Sequence, residues 1–509
     1  MTALERAIAH PVPVPGVGSR SPVDGLQRRS VGFVDVLAQS VSAVAPSAAA
    51  TTMPVLVAGA AGGATVWALA AAMLISLLVA ATVNQFTRRI ASTGSLYTYV
   101  SQGLGWRAGS AAGTSMLIGY GFITMFALAG AGYYLAILAA RVVPGASTTV
   151  FAIACIALMA AVVLVVLIRG IRFSTRVTLL IETVSVAIVL GLVAALLVST
   201  GRGVDWSALS PGDATPATFA VGSALALTAF VGFESSAALG VEARRPFAAV
   251  PRAIIWTVIV SGTLYLVAGY SQVVGFSALG LDLAGSDSPV NDLTAHYGME
   301  WMGLLLDLSI ATSFLACAIA STTALVRVLF AMGREGVIPS VFGSTHRRFR
   351  TPWVAALVAV PVVAAVPIAA VALGSGLWAT MECLIVTAAA GYIAAYTLVC
   401  LAAPVFLRRI GELTAGVAVR AVGSAVLLGV GLIVYLSVEF ASPRWIGAVV
   451  FAGLLVAGVL QAAHRHRTRP WLLDSVGVHD VPIAADVLGG GAPSAGTRRG
   501  TTGGGDPPG

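Results

Sequence analysis

Apolar residues in this chain fall into blocks of about 20, the length of one helical crossing of a bilayer core, separated by short polar connections. Backbone groups in lipid must find partners within their own segment, so each block predicts a transmembrane helix. Twelve spans are predicted, at 31–58, 64–86, 108–140, 147–168, 177–200, 216–241, 253–276, 301–331, 352–373, 377–403, 419–440 and 443–463. Polar tails flank a membrane domain over 31–464. The tail at 1–30 is rich in Pro, Arg and Ser and has no apolar core of a cleavable signal. The tail at 465–509 ends in a Gly/Pro/Thr tract that predicts disorder.

Two spans are interrupted. The first is too long for one upright helix and carries Ser42-Ala43-Val44-Ala45-Pro46-Ser47, where the proline removes a helical donor. The sixth carries Phe230-Val231-Gly232-Phe233-Glu234, where a glycine and a carboxylate break the apolar run. The interruptions lie five spans apart, and an odd-numbered repeat places corresponding helices in opposite orientations. That is the trace of an inverted repeat, with one half at about 31–200 and the other at about 216–403, followed by two extra helices at about 419–463. Broken helices at matching positions of two inverted halves point to a transporter's substrate site. The bland alternative is that Pro and Gly merely kink these helices.

Composition agrees with a membrane protein and corrects a first impression from charge. Hydrophobic residues make up 58% of the 509 and charged residues 10%, against about a quarter charged in soluble domains; mean hydropathy is +0.93. The net charge of +8 comes with 29 basic residues, every one an arginine, confined largely to the connections. With the N-terminus in the cytoplasm, all but Arg141, Arg202 and Arg444 fall inside, which predicts cytoplasmic N- and C-termini. The external loop at 278–300 is acidic, with Asp282, Asp287, Asp292 and Glu300. This distribution reads as topology, and no nucleic-acid partner is expected. Cys155, Cys317, Cys383 and Cys400 lie inside spans, where they read as packing residues; neither a metal site nor a cofactor is expected.

Three ordered stretches resemble the amino acid–polyamine–organocation (APC) permease superfamily, over roughly 31–465. The first is residues 42–47. The second is Ala229-Phe230-Val231-Gly232-Phe233-Glu234 with the following Val241-Glu242-Ala243-Arg244-Arg245-Pro246 and Val250-Pro251-Arg252-Ala253-Ile254. The third is Arg327-Val328-Leu329-Phe330-Ala331-Met332-Gly333-Arg334-Glu335-Gly336, continuing through Pro339 and His346 to Thr351-Pro352. The resemblance implies an all-α membrane protein with the five-plus-five inverted-repeat (APC) fold and two further helices. It also implies a cell-membrane transporter with an amino acid or related amine as substrate.

Substrate-binding candidates are therefore Ser42, Ala43, Val44, Ala45, Pro46, Ser47, Phe230, Val231, Gly232, Phe233 and Glu234, with Tyr120 of span three. N–H groups of an unwound first helix suit a carboxylate, and carbonyls of the sixth suit an ammonium. Many relatives have Gly-x-Gly in span one, whereas this chain has Ala45-Pro46-Ser47, one backbone donor fewer. The hydroxyls of Ser42 and Ser47 offer compensation, and an amine or polyamine stays open beside an α-amino acid. Phe233 and Tyr120 are expected to act as aromatic gates.

Charges inside spans cost about 2.5–3.5 kcal/mol on insertion, so each needs an account. Glu234 is either a gate or amine partner that protonates during the cycle, or a carboxyl that caps the break. Glu182 in span five is a candidate proton carrier, or else pairs with Arg172 or Arg176. Asp35 and Glu382 read as salt bridges near span ends. Asp307 shares a helix face with Ser309, Thr312 and Ser313, hydroxyls that would suit a sodium ion. Coupling is thus open among proton symport, sodium symport and exchange. Gly105, Gly109 and Gly113 read as a small-residue packing face, and His464-Arg465-His466-Arg467 as a topological stop. With no lysine there is no phosphate-binding Gly-x-x-x-x-Gly-Lys-[Ser/Thr] motif, and no His-Glu-x-x-His occurs. A passive channel would need a continuous polar pore, and an enzyme a catalytic cluster; neither pattern is present.

Overall fold

The computed structural model describes residues 25–142, 148–199, 205–212, 214–286, 288–442, 445–468 and 476–480. Arg202, Arg444, Asp287 and most of both predicted tails lie outside the described residues, as do the side chains of Arg141 and Glu300. The described chain is helical, with two isolated bridges, Val31 to Ala243 and Ala91 to Asp480. Eleven continuous helical stretches in it are long and apolar enough to cross a membrane. The first, Phe33–Thr87, has 55 residues. At 1.5 Å per residue it spans about 80 Å, enough for two crossings.

Backbone irregularities divide that stretch into α1 (Phe33–Ala43), α2 (Pro46–Ala61) and α3 (Thr65–Thr87). Then come the short α4 (Leu96–Leu104) and the long α5 (Trp106–Val142), α6 (Thr148–Arg169) and α7 (Ile171–Ser199). The sixth predicted span is α8 (Pro216–Leu227) followed by two 3₁₀ turns, Thr228–Phe230 and Ser235–Leu239. The remainder is α9 (Pro246–Leu279), α10 (Pro289–His296), α11 (Glu300–Arg334), α12 (Trp353–Ala372), α13 (Leu377–Ile410), α14 (Ala415–Phe440) and α15 (Trp445–Thr468).

Burial separates centre from rim. The most apolar window of α11 is 89% buried in protein and that of α13 72%, against 28% for α14 and 22% for α15. The outer two therefore present most of their apolar surface to lipid. Small residues let α11 sit at the centre: Ala311, Ala316, Ala318, Ala320 and Ala324 are all buried, and small side chains allow close helix approach in lipid, where no hydrophobic effect drives association.

The ends of α3, α11 and α13 share an arginine-rich face, where the chain before α1 meets the chain after the sixth span. The N–H groups of Ser30 and Val31 donate to the Glu242 carbonyl at 2.6 and 3.0 Å, and that of Arg244 donates to Val31 at 2.9 Å. Beneath them the buried Arg327 donates Nε to Glu242 Oε2 at 2.6 Å, so two of the stretches that resemble the permeases are joined by an ion pair. On the opposite face Asn291 of α10 donates to Asp307 at 2.9 Å.

Of the three glycines read as one packing stripe, Gly109 and Gly113 pack tightly against α4. A Cβ on Gly109 would lie 2.0 Å from Ser101 Oγ, and one on Gly113 2.8 Å from the Tyr97 ring. Gly105 instead turns the chain between α4 and α5 at φ +81°, with nothing near it. Gly109→Leu is therefore expected to destabilise the protein by about 1–3 kcal/mol through overpacking. Gly453→Leu, where a Cβ meets nothing within 4 Å, is expected to leave it unchanged. Thermal unfolding in detergent compares the two; equal midpoints would contradict this packing.

Candidate functional site

The break in the first span follows from its proline. Pro46 has no N–H to give the Ser42 carbonyl, and Ala45 N–H takes that acceptor at 3.1 Å, ending α1. Ala45 then adopts a left-handed conformation (φ 47°, ψ 60°), which costs a residue with a Cβ about 1–2 kcal/mol. Because Pro46 opens α2, the first N–H groups of that helix belong to Ser47 and Ala48. In the sixth span Val231 turns to ψ 136° and Gly232 to φ +96°, a region glycine enters without steric cost.

The two breaks touch. A Cβ on Gly232 would lie 3.1 Å from the Ala43 carbonyl oxygen and 3.2 Å from the Ala43 Cβ. Hydrogen bonds bind them from both sides. Ser235 Oγ donates to the Gln39 carbonyl at 3.1 Å, and Ser236 N–H donates to Ser40 Oγ at 3.0 Å. Tyr265 of α9 reaches both, donating to Ala229 at 3.0 Å and lying 3.4 Å from the Val44 carbonyl.

Glu234 sits at the second break, fully buried. Tyr120 of α5 donates to its Oε1 at 2.7 Å, and Tyr396 of α13 donates to its Oε2. The Tyr396 hydroxyl also accepts from Gly232 N–H at 3.1 Å, so one phenol holds both the carboxylate and the turn that presents it. Phe233 stacks on the Tyr396 ring at 5.1 Å, and Tyr392 meets Tyr120 edge-on at 5.4 Å. All twelve predicted substrate-binding residues are buried. Among the described residues, the buried hydroxyls of Ser42, Ser47, Ser236 and Tyr392 have no protein partner. Tyr265, Tyr392 and Tyr396 were not legible as site residues, although Tyr392 and Tyr396 stand four apart on one face of span ten.

The coupling candidates form a second polar cluster, between α7 and α11. Ser313 donates to Glu182 at 3.0 Å, and Ser309 to the Ser185 carbonyl at 3.0 Å. Thr312 bonds back to Leu308 at 2.8 Å. The structure thus brings Glu182 and Ser313 together and commits Ser309 and Thr312 to backbone carbonyls. Glu182 is buried and pairs with neither arginine offered for it; Arg172 donates to the Ser30 carbonyl instead. Asp35 forms no salt bridge among the described residues. It caps α1 by accepting from Gly32 N–H at 2.9 Å and accepts from Thr175 at 3.2 Å.

A cavity of about 300 Å³ lies on the side away from the arginine-rich face, between α2, α8, α13 and α14. Glu382, Trp378, Glu439, Met53 and Thr228 are among the residues that line it, and Thr228 opens the 3₁₀ turn leading into the second break. None of the predicted substrate-binding residues lines it. Glu382, expected as an interface salt bridge, is thus placed at a vestibule wall. Among the described residues no group of His, Cys, Asp and Glu is placed to hold a metal.

Sequence comparison gives the chain's relatives. The chain is 28% identical to a low-affinity putrescine importer of Escherichia coli, over 64% of this chain and 71% of that protein. It is 26% identical to a branched-chain amino acid permease of Bacillus subtilis, over 56% and 63% of the two chains. A methylthioribose transporter of Bacillus subtilis is 22% identical over 79% and 87%. The family model for amino acid permeases matches residues 35–463, and the chain belongs to that family within the APC superfamily.

Proposed function

We propose that this protein is a secondary transporter of the cell membrane that moves an amino acid or related amine by alternating access. The observation that carries the reading is Glu234, a buried carboxylate held by two tyrosines where two broken helices touch. An ammonium group fits between that carboxylate and the carbonyls around Gly232. A substrate carboxylate, where one is present, fits the N–H groups that open α2 and the hydroxyl of Ser47. The vestibule lets substrate in from one side, and the Glu242–Arg327 pair closes the other. In this reading the chain crosses twelve times, both termini are cytoplasmic, and two inverted repeats are followed by two helices. Nothing in the arrangement calls for a cofactor.

The same reading makes the proton the coupling ion, for symport or exchange. Glu182 is buried and forms no ion pair among the described residues, with Ser313 as its hydrogen-bond partner. A buried carboxyl with no fixed cation beside it is the kind of group that marks proton pathways in membrane transporters. Sodium coupling is the alternative: the Ser309 and Thr312 hydroxyls donate to carbonyls and keep their oxygen lone pairs for a cation.

Uptake of labelled putrescine and branched-chain amino acids into proteoliposomes tests the site. Glu234→Gln is expected to lower uptake about tenfold or more, as a hydrogen bond to a charged group is worth about 1.5–3 kcal/mol. Tyr396→Phe, which keeps the stacked ring and removes the hydroxyl, is expected to fall by a similar factor. Undiminished uptake by both variants would exclude this site. Glu182→Gln is expected to abolish the response to an imposed proton gradient while substrate exchange continues. A retained response would remove Glu182 as the carrier.

A further inference from the structure

Within the tail at 465–509, residues 476–480 pack into the arginine-rich face. Asp480 is buried there. Arg28 donates Nη2 to its Oδ1 at 2.6 Å, Arg29 pairs with its Oδ2, and its own N–H donates to the Ala91 carbonyl at 2.8 Å. The N–H groups of Gly477 and Val478 both donate to Glu335 Oε1, at 3.1 and 2.7 Å. Gln102 of α4 donates to the Gly477 carbonyl at 2.8 Å. Gly477 has φ +92°, and a Cβ there would lie 3.0 Å from Ser101 Cβ, so the segment fits its groove only with glycine at that point.

Five residues thus join three parts of the face: the approach to α1, the α3–α4 connection with α4, and the end of α11. The joint is polar. Burial pushes the Glu335 carboxyl up to about 7, and the donors from Tyr97, Gly477 and Val478 pull against that rise. The segment's N–H groups therefore help to keep Glu335 charged. Arg28 stays 35% exposed, so water can compete for its ion pair, and a contact of this kind is weaker than a packed core.

What the joint restrains follows from where α1 ends. α1 is an 11-residue half-helix, and at its inner end it is released from α2 by the break. Opening this face requires its outer end to swing away from α4 and α11, since alternating access rocks broken-helix elements against the rest. Arg28 and Arg29 lead directly into α1, while Ala91, Gln102 and Glu335 belong to the parts it would leave. We propose that residues 476–480 are a strap that holds this face shut and slows transport by opposing the movement of α1. The inference rests on the alternating-access reading above, but the strap has a readout that needs no substrate.

Hydrogen–deuterium exchange over residues 33–43, in lipid nanodiscs, measures the freedom of α1 directly. Asp480→Asn and a chain ending at Ser475 are both expected to exchange faster there than the natural chain. Ala91→Cys with Asp480→Cys replaces the ion pair by a disulfide across a bridge whose Cα separation of about 5.5 Å suits one. Oxidised, it is expected to exchange as slowly as the natural chain, and reductant is expected to release it. In proteoliposomes the first two variants are expected to raise the uptake rate about fivefold or more. Unchanged exchange, or faster exchange with slower uptake, would overturn the strap. Faster exchange with no uptake of any amine by any variant would support the strap and defeat the transporter reading instead.

Discussion

The structure depends on one constraint: backbone groups at mid-membrane must be paired, because no water is there to pair them. Interrupting a helix in that region frees N–H and carbonyl groups, each costing several kcal/mol if left alone. This chain makes two interruptions and presses them together. The breaks exchange Ser235 with the Gln39 carbonyl and Ser236 with Ser40, and Tyr265 and Tyr396 bond to backbone groups beside them. Each break supplies partners to the other, so a proline in one span and a glycine in another belong to one packed polar cluster.

The surrounding helices follow from that requirement. The broken segments are short and cannot hold position by their own length, so α5, α11 and α13 are long and largely buried around them. Their contributions are specific: phenols from α5 and α13 on Glu234, and Cys317 of α11 at 3.3 Å from the Ala43 carbonyl. The peripheral α14 and α15 face lipid and bring few polar groups to the centre. Polar contacts join the chain segments at the arginine-rich face, and the cavity beside Thr228 lies toward the opposite face.

How much of this was legible depended on whether the signal was local. The spans were legible because hydrophobicity over 20 residues is a local property, and both breaks because Pro46 and Gly232 mark them directly. The tyrosines were harder. Tyr396 meets Glu234 across 162 positions and Tyr120 across 114, and the sequence carries no periodicity linking such pairs. Charge was the least reliable guide. Asp35 invited a salt bridge by its place near a span end and Glu182 an arginine partner by proximity in sequence, yet Asp35 caps its own helix and Glu182 turns to Ser313. Residues 476–480 were hidden for a different reason. Five residues, Val476-Gly477-Val478-His479-Asp480, in a Gly/Pro-rich tail carry no periodic pattern, and their order comes from groups distant in sequence, among them Arg28, Arg29, Ala91, Gln102 and Glu335.

The proposed site holds substrate between the two breaks, with its amine at Glu234. A structure of the protein with a transported amine bound tests this most directly. Density is expected between Ala45 and Gly232, with the ammonium within hydrogen-bond reach of Glu234 or the neighbouring carbonyls. Density confined to the vestibule at Glu382 and Trp378, with the tyrosine-held carboxylate untouched, would contradict it.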